Sequence, residues 1–383
     1  MEARQLNIES KHRQHIVFVA SLKDFSYTEG DLVNPSLLVD NPQISLYCLD
    51  NIGRKAIFVE IPPDVDLTKV AFVYQSQYEQ AQKLIALPYE TFNELANSLP
   101  EVQQPIFIYV TGRSGSTLLN HAFNESETVV SLSEPDVATQ FVNLRHDTKG
   151  NRETELRTLA QSTIRFLFRS YHTKGVQAHA LKFRNQGLQV MDLFQTTFPQ
   201  AKNLFLYRDA IGYVTSFYRL MRKVEAPEYL SFDAWQSEYE KMLAVDLSHL
   251  SQYLDEANEE ISLVEQITLS WIVVMEWYLV QFGRGSPVLA VRYADLIEAQ
   301  EETLQQIFSY CGLPLNSLQL GLRAYGRDSQ EGTLLARENS REGNKRMLNE
   351  AQMRSVTAIL QRHPVLNISD FNVPGTLQIS GDK

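Results

Sequence analysis

The chain has 383 residues, 44% hydrophobic and 21% charged, which fits a soluble globular protein with room for a core domain and a smaller region beside it. Its net charge of −11 disfavours nucleic acid as a partner. The two cysteines, Cys48 and Cys311, argue against a disulfide framework and suit a reducing compartment. The residues up to His15 are polar and carry no apolar signal core, and the apolar stretch Trp271–Phe282, interrupted by Glu276, is shorter than a bilayer span. Neither secretion nor membrane insertion is expected, and the cytoplasm is the expected location.

The N-terminal part reads as short strands at His15–Ala20, Ile44–Leu49 and Lys55–Ile61, punctuated by Pro62-Pro63. Helical patterns follow at Tyr74–Leu87 and Tyr89–Ser98. Leu99–Gln104 reads as a linker. Residues 1–100 are therefore expected to form a small α+β accessory region, 105–370 the main domain, and 371–383 a tail.

After Pro105 the continuous apolar run Ile106–Val110 predicts a strand buried on both faces. A Gly- and Ser-rich turn and a helix from Ser116 to about Asn124 come next. Further strands are expected at Thr128–Leu132, Ala178–Phe183, Asn203–Tyr207 and Val288–Tyr293. Helices are expected at Glu153–Tyr171, Leu188–Phe198, Ala210–Arg222 and Ala234–Phe282. The alternation predicts an α/β fold, a parallel sheet flanked by helices. Ligands of such sheets bind beyond the carboxyl ends of the strands. Here those ends carry Thr111-Gly112-Arg113, Glu134, Lys182, Arg208-Asp209 and Arg292-Tyr293, a mostly basic set suited to a polyanion.

Thr111-Gly112-Arg113-Ser114-Gly115-Ser116-Thr117 lies between a strand and a helix. Gly112 and Gly115 allow close backbone approach, the helix start offers free N–H groups, and Arg113 adds a charged fork. It departs from the nucleotide-triphosphatase loop, because Ser116 follows Gly115 where that motif has lysine. A second motif, Leu204–Ala210, ends a strand, and Ser216 lies eight residues after Arg208 on the following helix. The two side chains can grip one phosphate from two sides.

Together these segments resemble the PAPS-dependent sulfotransferase family, PAPS being 3′-phosphoadenosine 5′-phosphosulfate. Thr111–Leu119 is similar to its 5′-phosphosulfate loop and Tyr207–Tyr218 to its 3′-phosphate motif. Val291–Leu296 with Cys311-Gly312-Leu313-Pro314 resembles its late strand, helix and turn. The likeness runs from about Pro105 to Pro314, more loosely to His363. It implies a P-loop-like α/β domain and PAPS as cosubstrate, with PAP as product. Gly112, Arg113, Ser114, Gly115, Ser116 and Thr117 would hold the 5′ end, Arg208 and Ser216 the 3′-phosphate, and Tyr293 would lie near the adenine. The basic Gly-rich loop of the cytosolic animal enzymes is absent as such; Gly326–Gly332 and Arg337, Arg341 and Lys345 are candidate replacements.

Sulfuryl transfer moves a group in line and asks the protein to position and to stabilise charge. Side-chain cations and backbone N–H groups suffice for that, so no metal is expected. The acceptor needs a base, and Glu134 in Ser133-Glu134-Pro135-Asp136 is the leading candidate. Its strand is expected beside the loop-bearing strand, and it resembles the glutamate of the glutamate-using branches, bacterial ones among them. His121, His172 and His179 are rivals. Lys182, or the fork of Arg184, would neutralise the leaving phosphate, alongside Arg113. The acceptor is expected to be a small molecule with a hydroxyl or amine. From Glu225 to Glu265 eleven acidic residues stand against one basic residue, Lys241. That segment is either a pair of solvated helices or an acidic wall that makes the acceptor neutral or cationic. A small-molecule kinase and a non-catalytic PAPS-binding module remain open as alternatives.

Overall fold

A computed structural model describes residues 2–13, 18–255, 259–328 and 348–379. The chain has a mixed α/β fold with two main sheets. Strands β1 (Ala3–Lys11), β2 (Phe25–Val33), β3 (Ile44–Asp50), β4 (Lys55–Glu60) and β5 (Lys83–Pro88) form an antiparallel sheet in the order β2-β1-β5-β4-β3. Strands β6 (Pro105–Val110), β7 (Val129–Ser133), β8 (Ala178–Lys182), β9 (Lys202–Tyr207) and β12 (Leu289–Arg292) form a parallel sheet flanked by helices, in the order β12-β9-β6-β8-β7. Strands β10 (Tyr229–Ser231) and β11 (Glu260–Ser262) make a separate two-stranded ribbon. The order corrects one expectation: β8 lies between β6 and β7, so the strand that leads to Glu134 is not the neighbour of the loop-bearing strand.

The chain divides into two compact units, residues 1–107 with 123–202, and residues 108–122 with 203–383. In the first, β3 and β4 are buried almost along their whole length. Helices Tyr89–Ser98 and Glu153–Phe168 pack together, with the ring of Phe166 5.2 Å from that of Phe58 and 5.0 Å from that of Phe92. The amide of Gln140 closes on the backbone of Leu49, accepting from its N–H at 2.7 Å and donating to its carbonyl at 2.6 Å.

Several N-terminal elements differ from expectation. The helix from Val73 ends at Gln80, and Lys83–Pro88 is a strand between β1 and β4. Leu84 to Leu87 are all buried, so the strand shows no alternation to separate it from the helical run before it. Of the expected His15–Ala20 strand, residues 15–17 lie outside the described residues, and 18–20 are not in a strand.

In the second unit, β9 and β12 pair in parallel with Tyr207 opposite Arg292. The chain at 373–377 runs along the outer side of β12, where Ala290 donates to Gly375 at 2.9 Å and accepts from Leu377 at 2.8 Å. The expected single helical stretch Ala234–Phe282 is broken into helix Phe232–Leu243, a 3₁₀ segment Ser248–Tyr253, strand β11 and helix Leu263–Gly283. Ser262 and Glu265 form a capping box that starts the last of these. At 21 residues this helix is long and apolar enough to cross a membrane, longer than the apolar run suggested. It is mostly buried, packing on helices Ala210–Lys223 and Glu350–Arg362, as a core helix does.

Candidate functional site

The second unit holds the glycine loop. Gly112, Arg113 and Gly115 all take positive φ, at 85°, 56° and 78°. A Cβ on Gly115 would come within 2.7 Å of Leu296 and 3.2 Å of the Tyr293 ring, so only glycine fits there. The strained turn folds Arg113 back, and its Nε donates to Ser216 Oγ at 2.8 Å. Arg208, at the end of β9, lays its guanidinium over the Tyr293 ring at 4.3 Å and reaches the Arg113 carbonyl with one Nη at 3.4 Å. The loop, Arg208, Ser216 and Tyr293 are thus gathered into one cluster.

Asp209, already named at the strand end, and two residues that the sequence did not single out for the site, Gly212 and Trp271, shape this cluster. Asp209 caps the helix Ala210–Lys223 by accepting from the Gly212 N–H at 2.7 Å. Gly212 lets the arginine lie close, since a Cβ there would sit 2.7 Å from Arg208 Nε. Trp271 donates its indole N–H to the Arg208 carbonyl at 2.9 Å and fixes the strand end.

Two arginines make this cluster electropositive. Burial, then the neighbouring Arg208, lowers the pKa of Arg113 against the pull of Tyr293. Burial lowers that of Arg208 as well, opposed by Tyr293 and Asp209. Among the described residues no carboxylate forms an ion pair with Arg208. Its Nε and the Ser114 hydroxyl are buried without a hydrogen-bond partner. The unpartnered Arg208 Nε and Ser114 hydroxyl, beside a second guanidinium, are groups that an anion would satisfy. Of the candidate replacements for the basic loop, Arg337, Arg341 and Lys345 lie outside the described residues, as do residues 329–332 of Gly326–Gly332.

The first unit holds a charged cluster around Glu134. Ser133 is paired with Lys182 across β7 and β8. Glu134 follows with φ 56°, its N–H donating to the Lys182 carbonyl at 2.8 Å and its carbonyl accepting from Tyr74 at 3.3 Å. The side chains meet too: Lys182 Nζ lies 2.8 Å from Glu134 Oε1. Arg184 Nε stands 3.9 Å from Glu134 Oε2, and its Nη1 is 3.2 Å from Asp136 Oδ1. Asp136 Oδ2 takes the Arg13 guanidinium at 2.5 Å and the Ala20 N–H at 2.8 Å.

Aromatic rings wall this cluster. Arg184 lies 4.1 Å from the Tyr74 ring centroid, and Lys182 Nζ lies 5.4 Å from that of Phe72. Burial, opposed by Arg184, leaves the Tyr74 hydroxyl pushed up to about 12, so it stays a neutral donor. Burial alone would lower Arg184, but Asp136, Tyr74 and Glu134 outweigh it and raise its pKa. Burial pushes the Asp136 carboxyl up while Arg184 and Arg13 pull against it. A guanidinium stands within ion-pair distance of each oxygen, although Oδ2 alone accepts hydrogen bonds among the described residues.

The histidine rivals fare differently. His179 is buried, its ring 4.9 Å from both Phe168 and His172, and burial lowers the pKa of both histidines. His179 packs between Phe168 and His172, and His172 is half-buried. His121 is half-buried on the Ser116–Glu125 helix. The acidic segment is mostly solvated: Glu225, Asp233, Glu238, Asp246, Asp255, Glu259 and Glu260 are all exposed. Among the described residues no group of three or more His, Cys, Asp or Glu has a metal-holding arrangement.

The family described as "Sulfotransferase family" matches residues 105–317. No curated protein matches the chain. Among solved structures, the sulfotransferase domain from the curacin biosynthetic pathway aligns at 15% identity and TM-score 0.40, covering 68% of this chain and 99% of that one. The sulfotransferase domain of the Synechococcus PCC 7002 olefin synthase aligns at 14% identity and TM-score 0.37, covering 68% and 94%. Retinol dehydratase in complex with androsterone and PAP aligns at 13% identity and TM-score 0.30, covering 70% and 75%. The family match takes in more than half of the chain, including the glycine loop, Glu134, Lys182, Arg208, Ser216 and Tyr293, and the chain belongs to the sulfotransferase family.

Proposed function

We propose that this sulfotransferase takes its sulfuryl group from PAPS and passes it to a hydroxyl or amine of a small-molecule acceptor. The observation that carries the reading is the pair Arg113 and Arg208, two half-buried cations brought together at a glycine loop, with Ser216 hydrogen-bonded to the first. The loop of Gly112, Arg113, Ser114, Gly115, Ser116 and Thr117 takes the 5′-phosphosulfate on its N–H groups and hydroxyls. Arg208 and Ser216 take the 3′-phosphate, and Tyr293 contacts the adenine. The family match sets aside the kinase and the non-catalytic module.

PAPS supplies an activated sulfuryl group; the chain's own residues place it and balance charge. Glu134 accepts the acceptor's proton, while Lys182 and Arg113 offset charge on the leaving phosphate. Natural-product molecules, neutral or cationic, are the acceptor class that suits an acidic chain, and the cytoplasm, where PAPS chemistry meets reduced thiols, suits its two buried free cysteines. An acceptor screen with labelled PAPS tests the reading: transfer that survives EDTA supports it. Labelled phosphate transfer from ATP with magnesium, and none from PAPS, overturns it.

A further inference from the structure

Glu134 has two carboxylate oxygens in different situations. Oε1 is held by Lys182 at 2.8 Å. Oε2 accepts no hydrogen bond among the described residues, although the Arg184 guanidinium stands 3.9 Å away. A guanidinium that close to a carboxylate normally closes into a two-bonded fork. What holds it back is visible on its other side. Its Nη1 forms an ion pair with Asp136 Oδ1 at 3.2 Å, short of hydrogen-bond alignment, and donates to the Phe18 carbonyl at 3.4 Å, while its plane rests on Tyr74. Asp136 is itself immobilised, fully buried between Arg184, Arg13 and the Ala20 N–H. Arg13 is further held by the Phe18 carbonyl and lies 3.9 Å from Asp24, whose carboxylate takes the Tyr47 hydroxyl at 2.6 Å.

We infer that Asp136 is a positioning residue that restrains Arg184 and thereby keeps Glu134 Oε2 open to take the acceptor's proton. The clamp is anchored by Arg13, Ala20 and Tyr74, all outside the matched residues 105–317, so the N-terminal region takes part in the chemistry through it. The inference rests on Glu134 being the base. Lys182, Arg184, Asp136, Arg13 and Tyr74 are the charged and titratable groups that surround it.

The test uses Asp136→Asn, the double variant Asp136→Asn with Arg184→Gln, and Glu134→Gln, each as the full chain. Folding is checked by thermal melting and by PAP titration. In Asp136→Asn the guanidinium is released onto Oε2. Turnover should fall by about tenfold or more, a share of the 10²–10⁴ that a positioned base supplies, with KM nearly held. The acid limb of the kcat profile should move to lower pH, which a loss of packing alone would not do. Removing the released guanidinium in the double variant should restore at least about half of that loss on a logarithmic scale. If Asp136→Asn does not fold, the double variant, which removes both buried charges, decides alone. Folded yet as inactive as Glu134→Gln, it overturns the inference. A folded Asp136→Asn with wild-type kcat and pH profile also overturns it. If Glu134→Gln itself keeps turnover, the base assignment fails first, and the role of Asp136 with it.

Discussion

Lys182 and Glu134 are joined twice, by the backbone bond from the Glu134 N–H to the Lys182 carbonyl and by an ion pair of the same 2.8 Å length. The register of β7 on β8 dictates this, since Ser133 opposite Lys182 brings the next residue over the lysine. The lysine side chain is 1% exposed and the glutamate 13%, so neither charge has water as an easy alternative. Lys182→Met should therefore destabilise the chain by about 3–5 kcal/mol, the cost of leaving one buried charge unpaired. Adding Glu134→Gln should recover much of it. Urea unfolding of both variants measures this, and equal losses in the single and the double would show that the pair is not what is being broken.

Arg208→Ala and Ser216→Ala should each weaken PAP binding without unfolding the chain. Each removes a charge-assisted contact worth about 1.5–3 kcal/mol. Arg208 carries no ion pair among the described residues, so its loss breaks none. Ser216 presently accepts from Arg113, and its loss frees that arginine as well as removing a ligand. Calorimetric titration with PAP gives both values; unchanged affinity in the folded double variant would end the 3′-phosphate assignment.

Gly212→Ala tests the placement of Arg208 without touching the arginine. The new Cβ would stand 2.7 Å from Arg208 Nε and 2.5 Å from Asp209 Oδ2. Both are side-chain atoms on movable groups, so the helix persists and the guanidinium is displaced. The expected result is a near-normal melting temperature with PAP affinity lowered at least about tenfold, or roughly 1.4 kcal/mol. Retained affinity would show that Arg208 reaches its ligand from another position.

The two motifs of the glycine-loop cluster were legible because the residues within each lie close along the chain. Gly112, Arg113 and Gly115 form one loop, and Arg208 and Ser216 are spaced along a strand end and a helix. The clamp around Glu134 was not legible. Arg13 and Asp136 meet at 2.5 Å across more than a hundred residues, and neither shows a local pattern. The buried strands β6 and β9 were read correctly from continuous apolar runs, but the same trait hid β5, whose run merged with the helix before it. The position of β7 was misjudged because consecutive strands usually neighbour each other, and here the β7-to-β8 pairing puts β8 next to β6.

A second carboxylate, Glu276 on the core helix Leu263–Gly283, ties the C-terminal helix in place. His249 Nε2 lies 2.9 Å from one oxygen, and the other takes His363 Nε2 at 3.2 Å and the Tyr253 hydroxyl at 3.1 Å. His363 Nδ1 accepts the N–H groups of Val365 and Leu366, so its Nε2 carries the proton. Burial alone would raise the Glu276 carboxyl, but the bonds from His363 and His249 hold it below its ordinary 4.5. A depressed folded value means stability that is complete above the ordinary one and is lost as pH falls through the folded one. Denaturant unfolding below pH 4.5 should thus show a flatter acid limb for Glu276→Gln than for the wild type. Parallel limbs would remove Glu276 from the acid response.

Glu134→Gln should abolish turnover while leaving PAP affinity nearly intact. An acceptor hydroxyl must lose its proton as the sulfur–oxygen bond forms, and a positioned base contributes about 10²–10⁴-fold to such a step. Glutamine keeps the length of the side chain and one carbonyl oxygen for Lys182, so the β7–β8 end should hold its shape. The lysine loses its counter-charge, however, so some loss of stability is expected and is measured separately by melting. The glycine loop, Arg208 and Ser216 are untouched, which is why PAP titration serves as the control. Acceptor chemistry adds a second readout. A hydroxyl acceptor should show the whole loss, whereas an amine that reacts in its neutral form should show less, because it needs no base before attack. A near-normal rate in Glu134→Gln with a hydroxyl acceptor, together with a collapse in His121→Gln, would move the base to the Ser116–Glu125 helix.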